Sequence, residues 1–211
     1  MAELFLEIFC EEIPARMQAK AERDLKDAIH KGLTEAGLGV EKITSMSGPR
    51  RLAVACLGVP AGSDDVTEER KGPKVGAPEQ AVAGFLRGAG LSSIEEAEVR
   101  SDPKKGDFYV AKRTIPGRAT PDIVAALVPA IMQNFHWPKS MRTGRGEMRW
   151  VRPLQRIVCL FDGAIVPFEV DGIASGNEVE GHRVHGRGPY AIGGLDEYVT
   201  TLAGQGHVLL T

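Results

Sequence analysis

Alternation of apolar and polar positions predicts several β-strands in the amino-terminal part of the chain. The run Leu4–Phe9 alternates around Glu7, which is typical of a strand. Residues 40–46 and 51–59 are predicted to form two more strands, separated by the turn signal Ser47-Gly48-Pro49. This region is therefore predicted to supply three strands, with a helix between the first and the second.

Hairpins are predicted farther along the chain. The clearest joins two apolar runs within residues 157–170 across Asp162-Gly163, a dipeptide that suits a tight β-turn. Residues 102–106 predict a turn that leads into a strand over 108–115. A last strand is predicted at 207–211, and because the chain stops inside this apolar run we expect a fragment of a longer protein.

Apolar residues at helical spacing predict helices over 14–36, from Pro78 to about residue 89, from Thr120 onward and over 195–203. Pro129 falls inside the third helix and is expected to kink or split it, since proline has no amide donor. The apolar stripe predicted for that helix consists of Ile123, Leu127, Ala130, Ile131 and Phe135.

The order of these elements predicts an α+β fold. Helices and strands alternate irregularly and hairpins recur, so we expect a mixed, mostly antiparallel sheet with helices packed on it. We expect this architecture to extend over residues 1–211 as one region. Residues 60–78 are polar and rich in glycine and proline, and this composition predicts a mobile loop.

Composition narrows the class of protein. The chain has 211 residues, a formal net charge of -2 and a pI of about 6.2, which excludes a uniformly basic protein but permits a local basic patch. No apolar run reaches the roughly 18–20 residues of a membrane span, and the acidic start is unlike a secretory signal. We therefore expect a cytoplasmic protein without membrane contact. Cys10, Cys56 and Cys159 are predicted to be buried thiols.

Basic residues are concentrated between Pro138 and Arg156. This stretch contains one acid, Glu147, and six bases: Lys139, Arg142, Arg145, Arg149, Arg152 and Arg156. Guanidinium forks match phosphate geometry, so the stretch is suited to binding a nucleic-acid backbone. Trp137 lies beside this stretch and Trp150 within it, and we expect their rings to stack on unpaired bases. The alternative is that the arginines are solvated or pair with acids of the same chain.

Other candidate sites have weaker patterns. Arg50-Arg51 and the segment His182–Arg187 add cationic candidates. The phosphate-binding, serine-hydrolase and zinc-protease motifs do not occur in the sequence, so no catalytic residue is predicted. His182 and His185 are too few ligands for a metal ion, and no metal site is predicted.

Several segments together resemble the β subunit of bacterial heterotetrameric glycyl-tRNA synthetase. They occur in the family's order: Leu4–Ala15, Gly48–Val54, Lys71–Pro73, Pro138–Arg142, Trp150–Pro153 and Gly181–Arg183. The chain departs from the family pattern at Phe9-Cys10, where Gly-Thr is usual, and at Thr143 and Val184, where aromatic residues are usual. These departures weaken the expectation of aromatic stacking and leave the arginine framework intact.

The resemblance implies a fold, partners and a division of labour. It implies similarity to the B3/B4-type domain of the phenylalanyl-tRNA synthetase β chain. It also implies that an α subunit activates glycine with ATP and Mg, that this chain holds no cofactor and is inactive alone, and that its partners are the α subunit, tRNA(Gly) and the remaining domains of its own chain.

Three functions follow from the resemblance. The first is a non-catalytic role in tRNA binding or α–β assembly, for which the candidate residues are Arg50, Arg51, Lys139, Arg142, Arg145, Arg149, Arg152, His182 and Arg183. The second is assembly alone, with the arginines in internal ion pairs. The third is an editing-type hydrolytic domain, which is disfavoured because glycine is the smallest amino acid and larger ones are excluded by size.

Overall fold

A computed structural model describes residues 2–102, 106–142 and 146–210. Where the sequence indicates one region, the chain divides into two compact units. Unit 1 comprises Met1–Ser63 and Arg118–Thr211, and unit 2 comprises Asp64–Gly117.

The helices and strands follow one another in an irregular order, as expected for an α+β protein. In chain order they are β1 (Glu3–Cys10), α1 (Ala15–Glu35), β2 (Lys42–Gly48), β3 (Arg51–Leu57), β4 (Val66–Lys74), α2 (Glu79–Ala89), β5 (Glu98–Asp102), β6 (Gly106–Ile115), α3 (Thr120–Gln133), β7 (Met141–Arg142), β8 (Arg149–Trp150), β9 (Leu154–Phe161), β10 (Ala164–Ile165), β11 (Glu169–Val170), β12 (Ile173–Gly176), β13 (Glu178–Val179), β14 (Tyr190–Ala191) and α4 (Leu195–Gly204).

Unit 1 is built on a mixed, mostly antiparallel sheet. Its strand order is β11-β12-β9-β1-β3-β2, and β10 pairs with the edge of β9. Only the pairing of β12 with β9 is parallel among the ladders of this sheet in the described residues. The α+β prediction is therefore confirmed, and the likeness to a B3/B4-type domain stays a prediction.

Helices cover both faces of this sheet, so its central strand β1 is buried on both sides. Leu4, Leu6 and Ile8 pack in one apolar cluster with α1 and α3. Phe5, on the opposite face, packs in a second cluster with Tyr198 of α4. This double burial places Glu7 in the interior of the protein, 0% exposed.

The helices form where the sequence predicts them. The buried face of α1 carries apolar residues at helical spacing, as the prediction of a helix over 14–36 requires: Met17, Ala21, Leu25, Ile29 and Leu33. In α3 the prediction was wrong in part, because the fully or largely buried residues include Val124, Val128 and Met132. That helix is apolar on nearly every side, so periodicity does not select its buried face. It also continues through Pro129 without a break.

The predicted Asp-Gly hairpin is confirmed. Asp162 and Gly163 have φ values of 49° and 81°, the left-handed conformation that a tight hairpin turn requires at both central residues. The second arm is short, since β10 contains only two residues. The strand predicted at 207–211 was wrong for residues 207–210, which form no strand, and Thr211 lies outside the described residues.

Unit 2 is a three-stranded antiparallel sheet of order β4-β6-β5, with α2 packed on it through Phe85 and Ala89. The prediction of a loop over 60–78 was wrong, because residues 66–74 form β4 and pair with β6. The polar sequence of β4 has no apolar alternation, and its register shift between Lys71 and Lys74 contains the Gly-Pro pair that resembles a turn. The turn predicted within 102–106 falls largely on residues 103–105, outside the described residues.

The three cysteines lie in the interior of the folded chain. Cys10, Cys56 and Cys159 are free and buried, as predicted. Burial raises the pKa of each thiol to about 12.

None of the helices in the described ranges has both the length and the apolar composition needed to cross a membrane.

Candidate functional site

A short two-stranded ribbon carries the central part of the predicted basic stretch. Strands β7 and β8 pair antiparallel, with Met141 opposite Trp150 and Arg142 directly opposite Arg149. Like charges that face each other across a ladder destabilise it. We call the exposed bases Lys139, Arg142 and Arg149 the cationic ribbon.

The cationic ribbon is only partly satisfied within the chain. Arg149 donates from Nε to Oγ of Ser140 at 3.1 Å and from Nη2 to the Ser140 carbonyl at 3.2 Å. Lys139 and Arg142 form no ion pair with any described residue. Arg145, which the sequence adds to this group, lies outside the described residues. The ribbon therefore presents positive charge that this part of the chain does not neutralise.

Buried aromatic side chains hold the base of the ribbon. Trp137, before β7, is 7% exposed, and Trp150, at the end of β8, is 0% exposed. Their ring centroids lie 5.1 Å apart at 78°, and the Phe135 ring lies 5.0 Å and 5.2 Å from them. The prediction that the two indoles stack on bases was wrong, because both belong to the core. They anchor the ribbon, and neither indole is available to stack on a base.

The last two bases of the stretch are engaged locally. Arg152 is half-buried and donates from Nη1 to the Val151 carbonyl at 2.7 Å. Arg156 forms ion pairs with Glu178 at 2.6 Å and Glu180 at 2.9 Å. For Arg156, the alternative that these arginines pair with acids of the same chain is therefore confirmed.

Arg51 belongs to a buried polar cluster. Its Nη1 donates to Oε1 of Glu7 at 3.0 Å, and the Tyr198 hydroxyl donates to the same oxygen at 2.8 Å. Nη2 of Arg51 donates to the Glu180 carbonyl at 2.6 Å. At 4% exposure, Arg51 does not fit the predicted role of a surface contact, because its guanidinium is committed to the interior.

The environment of Glu7 alters its titration. Burial raises the pKa of this carboxyl above its ordinary value, although the Arg51 charge and the Tyr198 hydrogen bond act in the opposite direction. Burial also raises the pKa of Tyr198, as does the neighbouring Glu7. Sequence reasoning missed this cluster. The signal available was one acid within the apolar run of β1, whereas nothing in the sequence marks Tyr198 as its partner.

The remaining candidates meet around one cavity of about 510 Å³, which we call the arginine cavity. Its lining residues are Glu12, Pro49, Arg50, Arg51, Gly181, His182, Arg183, Val184, His207 and Val208. Glu11 links two of its arginines, since its carboxylate accepts from Arg50 at 3.3 Å and from Arg183 at 2.9 Å. The fold thus joins two cationic segments far apart in sequence.

His182 is held in a defined orientation at the cavity. Its Nδ1 accepts from the backbone amides of Val184 and His185, both at 3.2 Å, so its ring proton is on Nε2 when the imidazole is neutral. The rings of His182 and His185 stack with centroids 4.7 Å apart. Within the described ranges, no group of three histidine, cysteine or acidic side chains is arranged to hold a metal ion.

Comparison with known proteins identifies relatives over almost the whole chain. A family profile described as "Glycyl-tRNA synthetase beta subunit" matches residues 4–211. The chain is 49% identical over 210 residues to a "Glycine--tRNA ligase beta subunit" of Phenylobacterium zucineum (strain HLK1), covering 99% of this chain and 30% of that protein. A protein of the same description from Ruegeria sp. (strain TM1040) is 48% identical over 206 residues, covering 96% of this chain and 30% of that protein.

Proposed function

The chain belongs to the glycyl-tRNA synthetase β subunit family, and from this premise we propose that it supports glycyl-tRNA formation by binding the tRNA(Gly) backbone. It spans about 30% of the length of the relatives it matches, so the activity of the whole ligase enters only as part of the proposal. In that proposal the α subunit carries out the ATP- and Mg-dependent activation of glycine, and this chain supplies binding groups and no reacting group.

One observation carries the proposal: Arg142 lies directly opposite Arg149 in the ladder of β7 and β8, and neither forms an ion pair with a described residue. Like charges at opposed positions of a ladder repel, and the nearby acid Glu147 forms no ion pair with a described residue. A phosphate backbone supplies closely spaced negative charges and accepts paired N–H donors from arginine. A bound phosphate backbone would therefore offset the like charges of the ribbon.

A second candidate function is docking of another protein chain, of which the α subunit is the first candidate. Val184 is 75% exposed and Leu209 is 83% exposed, and Val184 and Val208, the neighbour of Leu209, line the same cavity. An exposed apolar surface that is contiguous marks a protein contact. This function places the same cations opposite acidic groups of a protein partner. It predicts that the ribbon controls subunit assembly and not RNA affinity.

Replacement of exposed ribbon cations distinguishes the two functions. The ligase is assembled from both subunits with Lys139→Gln and Arg142→Gln together, and with Arg23→Gln as a control of the same kind on the exposed side of α1. We expect the double variant to bind tRNA(Gly) more weakly in fluorescence anisotropy and to co-elute with α unchanged. Loss of co-elution with unchanged tRNA affinity would instead favour protein docking.

A further inference from the structure

The arginine cavity has the size and wall chemistry of a small-ligand site. Its volume of about 510 Å³ lies within the range of roughly 300–1,000 Å³ that is typical of such sites. Pro49, Val184 and Val208 provide apolar wall, while Arg50 and Arg183 provide cations. A ligand that fits these walls has an apolar part and an anionic part.

The charged side chains at the cavity favour the binding of an anion. Arg50 and Arg183 share the single carboxylate of Glu11, so this group carries one positive charge in excess. Arg51 does not add to that excess, because Glu7 is its counter-ion. Glu12 also lines the cavity and opposes this excess, but it is exposed and forms no ion pair with either arginine, whereas Glu11 contacts both.

Hydrogen-bond donors at the cavity are also in excess. Two guanidiniums carry ten N–H donors, and one carboxylate cannot satisfy them. Nε of Arg50 is buried and has no acceptor among the described residues. His182 adds a donor at Nε2, because backbone amides occupy its Nδ1. An anion with several acceptor oxygens would satisfy these donors.

We propose that the arginine cavity binds one nucleotide of unpaired RNA. The phosphodiester lies beside Arg50 and Arg183, on the N–H donors that Glu11 leaves unused, and the base packs on Pro49, Val184 and Val208. A phosphodiester supplies one negative charge and several acceptor oxygens, which complement the excess of positive charge and of N–H donors at the cavity. A base supplies a flat apolar face. The inference rests on the proposed function in that the RNA is the tRNA, but it concerns a site separate from the cationic ribbon.

Short oligoribonucleotides test the cavity directly. Fluorescent trimers of uridylate, cytidylate and adenylate, and an abasic ribose-phosphate trimer, are titrated into the assembled ligase. In Arg183→Gln we expect binding of the trimers to weaken about tenfold, the effect of one charge-assisted hydrogen bond. Arg183 is half-exposed, so this change does not disturb the core.

Two further variants test whether negative charge at the cavity weakens binding and whether the apolar wall contacts the base. Glu12→Gln removes the acid at the cavity and is expected to strengthen trimer binding. Val184→Ser removes apolar wall from an exposed side chain and is expected to weaken binding of the base-bearing trimers and not of the abasic one. Arg23→Gln, the control on α1, is expected to leave the binding of base-bearing and abasic trimers unchanged.

The possible outcomes separate this inference from the proposed function. No trimer binding, equal binding by Arg183→Gln and the unsubstituted ligase, or equal affinity for abasic and base-bearing trimers would overturn the inference. If those results appear while the ribbon variants still weaken tRNA binding, the proposed function survives without the cavity. Trimer binding that depends on Arg183, with tRNA affinity insensitive to the ribbon, would instead retain the cavity and contradict the proposed function.

Discussion

Arg51 and Glu7 form an ion pair inside the protein, with 3.0 Å between Nη1 and Oε1 and side chains that are 5% and 0% exposed. The same guanidinium donates from Nη2 to the Glu180 carbonyl, directly before Gly181 of the cavity wall. The pair therefore ties the central strand of the sheet to the segment that carries His182 and Arg183. It positions the candidate site without needing to contact a ligand.

Removal of the Arg51 charge is predicted to destabilise the fold strongly. Arg51→Gln leaves Glu7 buried without its counter-ion, and breaking such a pair lowers the free energy of unfolding by about 3–5 kcal/mol. Urea denaturation followed by circular dichroism measures the loss. Arg23→Gln, on the exposed side of α1, is the matched control and is expected to leave the midpoint nearly unchanged. A loss equal to that of the control would show that the pair does not hold the fold.

The pH dependence of stability is predicted to reveal the state of Glu7. Because burial raises its pKa in the folded chain above 4.5, the folded state binds the proton more tightly than the unfolded state does. The stability that Glu7 contributes is then complete below pH 4.5 and is lost as the pH rises through the raised value. Glu7→Gln lacks this titration.

Urea unfolding of both forms at several pH values checks this prediction. The difference in free energy of unfolding between the unsubstituted protein and Glu7→Gln is expected to decrease as the pH rises from below 4.5 to neutral. A difference that grows with pH would show that the attraction of Arg51 outweighs burial and lowers the pKa of Glu7.

The buried cysteines are predicted to be unreactive in the folded protein. Burial raises the pKa of Cys10, Cys56 and Cys159 to about 12 and hinders access of reagents, so very little thiolate is available at neutral pH. Titration with Ellman's reagent is expected to label these thiols only after unfolding in guanidinium chloride. Rapid labelling of the native protein would contradict their burial.

Local patterns predicted most elements of unit 1. The Asp162-Gly163 turn is one example, because both residues adopt the left-handed conformation that this dipeptide tolerates. Strand β4 was missed for the opposite reason: backbone pairing with β6 holds a polar segment that carries no apolar alternation. Elements that depend on backbone pairing alone leave little trace in a hydrophobic pattern.

The candidate site was predictable by residue type but not by environment. The basic composition of residues 139–149 marked the cationic ribbon, whose bases Lys139, Arg142 and Arg149 are exposed, and a binding role for them stays a prediction. The same reasoning placed Trp150 and Arg51 at the surface, although tertiary packing buries both. Whether an arginine or an indole faces solvent depends on chain segments more than a hundred residues away, such as Glu180 beside Arg51.

The salt dependence of tRNA affinity tests the central claim most directly. The logarithm of the association constant for tRNA(Gly) is measured against the logarithm of salt concentration for the assembled ligase and for the variant with Arg142→Gln and Arg149→Gln. If both arginines bind phosphates, the variant binds more weakly and its slope is smaller by about 2, or about 1 per lost contact. A slope identical to that of the unsubstituted ligase would show that the cationic ribbon does not bind RNA.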